Sequence, residues 1–120
     1  MADNVIKTKS FNFALRIIKL FQFLKDDKKE YVLSKQLLRS GTAIGALVRE
    51  SEQAESKKDF IHKLAIAQIE AKETDYWLEL LFQSDYLNEL QFQSIKSDIV
   101  EINKILASII ITSKQKLSTT

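Results

Sequence analysis

One histidine, His62, and two carboxylates three residues apart, Glu70 and Glu73, are the residues here best suited to acid–base or metal chemistry. Dinuclear metal sites in helical bundles draw a Glu-x-x-His motif from each of two helices. A single histidine cannot supply two such motifs. The chain has no cysteine, which excludes disulfides, thiolate catalysis and zinc–thiolate sites. His62, beside a helix start, reads as structural. Glu70 and Glu73 read as ion-pair partners for Lys63, Lys72 or an arginine, in one chain or across subunits. No metal or cofactor is expected.

Other chemistries fare no better. All-helical ribonucleases of the toxin type carry an arginine shortly before a histidine. The nearest arginine preceding His62 is Arg49, which is too distant. No glycine-rich phosphate loop, nucleophile elbow or dinucleotide fingerprint is present. Tyr76 and Trp77 could stack on bases, but aromatics at helical spacing in a bundle more often anchor a core or an interface. Arg39, Arg49 and Glu50 could meet phosphate or form inter-helix ion pairs. A non-enzymatic protein is expected.

The net charge of +2 is small, but its distribution is uneven. Residues 1–39 hold nine Lys/Arg against four Asp/Glu, a balance of +5, and the remainder carries −3. A basic N-terminal half would attract a phosphate backbone. Lys19, Lys35, Arg39 and Arg49 are the candidate RNA- or DNA-binding residues. The alternative is solvated charge scattered over the surface.

Positioning these side chains falls to helices. Hydrophobic residues make up 45% and charged residues 28% of 120 residues, which fits one soluble globular domain over 1–120. The longest apolar stretch, Ile105 to Ile111, is far short of the roughly 20 residues of a membrane span. The start of the chain does not resemble a signal peptide. A cytoplasmic location without membrane contact is expected.

Apolar spacing predicts helices over about 9–25, 29–54, 57–83 and 88–114. The first carries two stripes: Phe11, Ala14, Leu15, Ile18 and Phe21, then Phe13, Ile17, Leu20 and Leu24. Together they exceed the arc a surface helix buries, so this helix is expected to be covered on two sides. The second carries Leu33, Leu37, Gly41, Ile44 and Val48. Ser56 to Asp59 resembles a capping box, and Asn88 is a second candidate cap. The last has a clean seam of Phe92, Ile95, Ile99, Ile102, Leu106 and Ile109, with a polar, frayed tail after Thr112. The pattern is that of an all-α, antiparallel up-down-up-down four-helix bundle.

Only two glycines occur, Gly41 and Gly45, both inside the second helix. A mid-helix glycine costs about 1 kcal/mol relative to alanine. Two on one face imply close approach of another backbone, and together with the two-sided first helix they suggest a neighbour beyond the chain's own helices.

The run Val32-Leu33-Ser34-Lys35-Gln36-Leu37-Leu38-Arg39-Ser40-Gly41-Thr42-Ala43-Ile44-Gly45-Ala46 resembles the signature of the bacterial 23S rRNA-intervening-sequence protein family. The stretches Glu50 to Leu64 and Ala67 to Leu78 continue the likeness, which runs from about residue 11 to 87 and is weak in the last helix. The resemblance implies a four-helix bundle assembled into a ring-like homopentamer, with Gly41, Gly45, Tyr76 and Trp77 in packing or assembly. A related branch, the accessory variability protein of diversity-generating retroelements, forms basic pentameric barrels that bind nucleic acid and reverse transcriptase. This chain is nearly neutral, and it has Leu47 where many members carry asparagine. The expected function is an oligomeric scaffold or adaptor, with RNA or DNA binding through a basic surface. The alternative is a structural or protein-partner module without nucleic acid.

Overall fold

The computed structural model describes residues 2–118, with side chains from residue 5 onward. Four helices follow one another: α1 (Ala2–Asp26), α2 (Leu33–Ser51), α3 (Lys57–Gln83) and α4 (Glu89–Ser118). Each packs on its neighbours in the chain, and α1 closes against α4; the backbones of the diagonal pairs α1–α3 and α2–α4 do not come within 8 Å of each other, Cα to Cα, among the described residues. Residue pairs across each seam run in opposite senses. Lys7 meets Glu52, while Arg49 lies against Phe11. Arg39 meets Glu73 and Lys63 meets Glu50. Phe82 stacks on Phe92 while Lys96 reaches Asp75. Lys9 meets Glu101 while Arg16 meets Asp98. The bundle is antiparallel, about 53 Å long and 22 × 20 Å across.

The core follows the predicted seams. Phe13, Ile17 and Leu24 of α1, Leu37, Ile44 and Val48 of α2, and the whole α4 series from Phe92 to Ile109 are buried. Both candidate caps hold. Ser56 Oγ accepts the Asp59 amide at 3.0 Å, and Asp59, one methylene shorter than glutamate, accepts from the Glu55 amide instead of closing back on Ser56. Asn88 and Gln91 form a reciprocal box, each side chain accepting the other's amide at 2.8 and 2.9 Å.

The boundaries differ from expectation in three places. α1 begins at Ala2 rather than about residue 9, because Ile6 and Ser10 extend its buried face. α2 spans 19 residues, Leu33–Ser51, rather than about 29–54, starting later and ending earlier. α4 runs to Ser118, so the tail after Thr112 continues the helix, with Ser113 buried and Leu117 packed on the core. Lys29 and Asp85 take left-handed backbone conformations in the turns after α1 and α3, at φ 57° and 68°. Among the described residues no helix is long and apolar enough to cross a membrane.

Candidate functional site

The glycine pair sits where α2 meets α1 of the same chain. A Cβ on Gly41 would lie 2.9 Å from Ile17 Cγ1 and Cγ2, and one on Gly45 would lie 3.4 Å from the Ser10 carbonyl oxygen. This corrects the expectation that the notch receives a neighbour beyond the chain. The close approach is internal, and only Gly41 requires it. Ser10 is fully buried because the small residues at 10 and 45 let the two helices come together.

The second half of that expectation has a different outcome. Within the single chain α1 is covered on one side only. Phe13, Ile17 and Leu24 face the core, whereas Phe11, Leu15 and Ile18 are 47%, 46% and 39% exposed. These three recur at i, i+4 and i+7, so they form one outward stripe. Arg49 from the last turn of α2 lies over the Phe11 ring, 5.1 Å from its centroid. On the diagonally opposite helix, Ile69 and Tyr76 of α3 are also exposed, at 63% and 58%. Tyr76 meets Trp77 edge-on at 5.2 Å. Trp77 is half-buried against the core and its indole N–H donates to Glu73 Oε1 at 3.3 Å.

Glu70 and Glu73 answer to an arginine. Arg39 reaches Glu73 Oε1 with Nη2 and Glu70 Oε1 with Nη1, the latter at 3.5 Å. Beneath them Thr74 Oγ1 donates to Ser40 Oγ at 2.9 Å, both residues fully buried. This network ties α2 to α3. His62 is exposed on α3, and no group of three or more His, Asp or Glu residues among the described ones is placed to hold a metal.

The basic candidates do not converge. Lys19 is exposed on α1, and Lys35, Arg39 and Arg49 are strung along α2 from its first turn to its last. Arg39 is committed to two carboxylates and Arg49 to a ring. Lys7, Lys9 and Arg16 are also paired, with Glu52, Glu101 and Asp98. Much of the positive balance in residues 1–39 is therefore spent on seams with α2, α3 and α4.

Glu30 is a functional residue of the fold that sequence rules pass over. Val32, at the N-cap position of α2, offers no side-chain cap. The Glu30 carboxylate instead accepts the amides of Val32, Leu33 and Ser34 at 3.3, 3.1 and 2.7 Å, and Ser34 Oγ donates to the Glu30 carbonyl at 2.8 Å. Burial pushes the carboxyl pKa up, but the backbone amides together outweigh it and hold the pKa below the usual 4.5.

The family described as 23S rRNA-intervening sequence protein matches residues 2–108. A solved structure of a protein of unknown function from the S23 ribosomal protein family of Bacteroides thetaiotaomicron VPI-5482 is similar at a TM-score of 0.91. It is 58% identical, and the match covers 92% of this chain and 98% of that one. Comparison with curated proteins finds no match. The signature around the two glycines, the four-helix bundle and the match over nearly the whole chain agree: the chain belongs to the 23S rRNA-intervening sequence protein family.

Proposed function

We propose that the protein is a non-enzymatic scaffold whose copies dock to one another through the outer face of α1. The observation that carries this reading is the Phe11–Leu15–Ile18 stripe, three large side chains on one helix face that the bundle leaves half exposed. The exposed pair Ile69 and Tyr76 on the diagonal helix offers a second apolar surface. Surfaces on opposite corners cannot meet within one chain. Joined head to tail between copies, they make a heterologous contact, the kind that gives a ring when the rotation between copies closes. Five copies is the number the family resemblance supplies. Light scattering tests the reading: the wild-type chain runs as a closed oligomer, and Leu15→Glu runs as a folded monomer. A monomeric wild type overturns it.

A second reading, RNA or DNA binding, is supported by Lys19 and Lys35, which are exposed and have no anionic partner among the described residues. Repetition around a ring would multiply such lysines into a basic belt. Filter binding at two salt concentrations checks it. Electrostatic binding falls steeply with salt, and an absence of binding at low salt leaves the scaffold alone.

A further inference from the structure

α1 and α3 stand on one diagonal of the bundle and run in the same direction, because one antiparallel neighbour separates them on either side. Two routes across the bundle fix their relative height. Through α2, Gly41 lies against Ile17 of α1, and the adjacent Ser40 accepts from the Thr74 hydroxyl of α3. Through α4, Arg16 donates to Ser94 and Asp98, and Lys96, midway between those two, reaches Asp75 of α3. Residues 16 and 17 of α1 are therefore level with residues 73–75 of α3.

Counted along both helices from that level, Phe11 falls within about two residues of Ile69, and Ile18 within about two residues of Tyr76, about 3 Å at the helical rise. Both pairs are i and i+7. The exposed stripe of α1 and the exposed pair on α3 thus match in length and in height.

Equal height decides what a head-to-tail contact builds. Surfaces at different heights add a rise at every copy and wind into an open filament, whereas surfaces at one height join by rotation alone and can close. Rotation about an axis parallel to the bundle also leaves α1 of one copy parallel to α3 of the next. Parallel helices with apolar residues at a seven-residue repeat pack in register, with Leu15 entering the gap between Ile69 and Tyr76.

Charge selects α3 over a second α1 as the mate. Residues 11–25 carry Arg16, Lys19 and Lys25 and no acid. Residues 69–83 carry Glu70, Glu73, Asp75 and Glu79 against Lys72 alone. A two-fold contact of α1 with α1 would set a basic helix against itself, whereas α1 on α3 sets basic against acidic.

We infer that α1 of one copy lies parallel to and level with α3 of the next, Phe11 beside Ile69 and Ile18 beside Tyr76. This contact rests on the scaffold reading above and adds to it the direction and register in which the two surfaces meet.

Disulfide trapping tests the register, since the chain has no cysteine of its own. A disulfide needs Cα atoms about 4.4–6.8 Å apart. The double variants Phe11→Cys/Ile69→Cys and Ile18→Cys/Tyr76→Cys should cross-link between copies on mild oxidation, up to a covalently closed ring. Phe11→Cys/Tyr76→Cys, about 10 Å out of register, should not. Complementation tests the mate. Ile69→Glu, like Leu15→Glu, should be a monomer by light scattering and folded by circular dichroism. Mixed in equal amounts, the two should form a dimer that grows no further, because each chain keeps one intact surface. No cross-link in either matched pair, equal cross-linking of the mismatched pair, or wild-type assembly of Ile69→Glu would overturn the level contact; the scaffold reading would then stand if Leu15→Glu is a monomer. Wild-type assembly of Leu15→Glu would overturn both.

Discussion

Gly41 of α2 lies so close to Ile17 of α1 that an added methyl group would stand 2.9 Å from both γ carbons of the isoleucine. At Gly45 the nearest atom to such a methyl is the Ser10 carbonyl oxygen at 3.4 Å, an ordinary contact. Two glycines four residues apart on one helix therefore serve different ends.

Alanine separates them. Gly45→Ala gains helix propensity with no displaced atom and should stabilise by about 0.5–1 kcal/mol. Gly41→Ala gains the same propensity but must move a β-branched side chain in a packed core, a cost of about 1–3 kcal/mol, so it should destabilise. Ile17→Ala removes both γ carbons, and its combination with Gly41→Ala should cost less than the sum of the two. Urea unfolding of the four chains measures all three outcomes. Additive behaviour would remove the steric account.

Glu30 makes part of the stability depend on acid. Its pKa is lowered on folding, so its contribution is complete above the unfolded value of 4.5 and is lost as pH falls through the lower folded value. Glu30→Gln keeps the shape and removes the charge that three amides converge on. The variant should be less stable by about 1–2 kcal/mol near neutrality. The gap between the two chains should close in the acid range below 4.5. Thermal melts at stepped pH decide it; a constant gap would mean that the carboxylate is not the cap.

Arg39 and the two exposed lysines should behave differently when neutralised. Glu70 Oε1 is sealed from solvent, and the Arg39 guanidinium at 3.5 Å is the cation beside it. Arg39→Gln should therefore destabilise by about 1 kcal/mol, and Glu70→Gln should recover part of the loss. Lys19→Gln and Lys35→Gln should change stability by no more than about 0.5 kcal/mol. Any loss of nucleic-acid binding in the lysine variants then reports on contact with the ligand, whereas a loss in the arginine variant mixes contact with folding. Equal stability of all three variants would undo this division.

The α4 seam and the caps at Ser56 and Asn88 were legible because each depends on residues adjacent in sequence or spaced by one helix turn. The internal role of the glycines was not, since sequence shows that a notch exists and not which helix fills it. The start of α1 was hidden by Ser10, a polar residue that the close approach at Gly45 turns into core. The cap of α2 was hidden because the cap position holds Val32, while the carboxylate that does the capping stands two residues earlier. Among the site residues, Glu70 and Glu73 were anticipated as ion-pair partners of Lys63, Lys72 or an arginine; the partner is Arg39, while Lys63 pairs with Glu50. The commitment of Arg49 to Phe11 depends on where α2 ends against α1, which periodicity does not show.

Three of the four seams join helices that follow one another in the chain, while the fourth brings α1 back to α4 and is the thinnest. Its named polar links are between half-exposed groups, Lys9 with Glu101 and Arg16 with Asp98. Closing that seam gathers the two extremes of the polypeptide, so its loop entropy is lost over nearly the full length. The hairpins α1–α2, α2–α3 and α3–α4 can form first, and the ring of helices shuts last. Native-state hydrogen exchange would register this as amides of α1 and α4 opening at lower free energy than those of α2 and α3. The protein would then breathe along one edge, like a book whose spine is the α2–α3 pair.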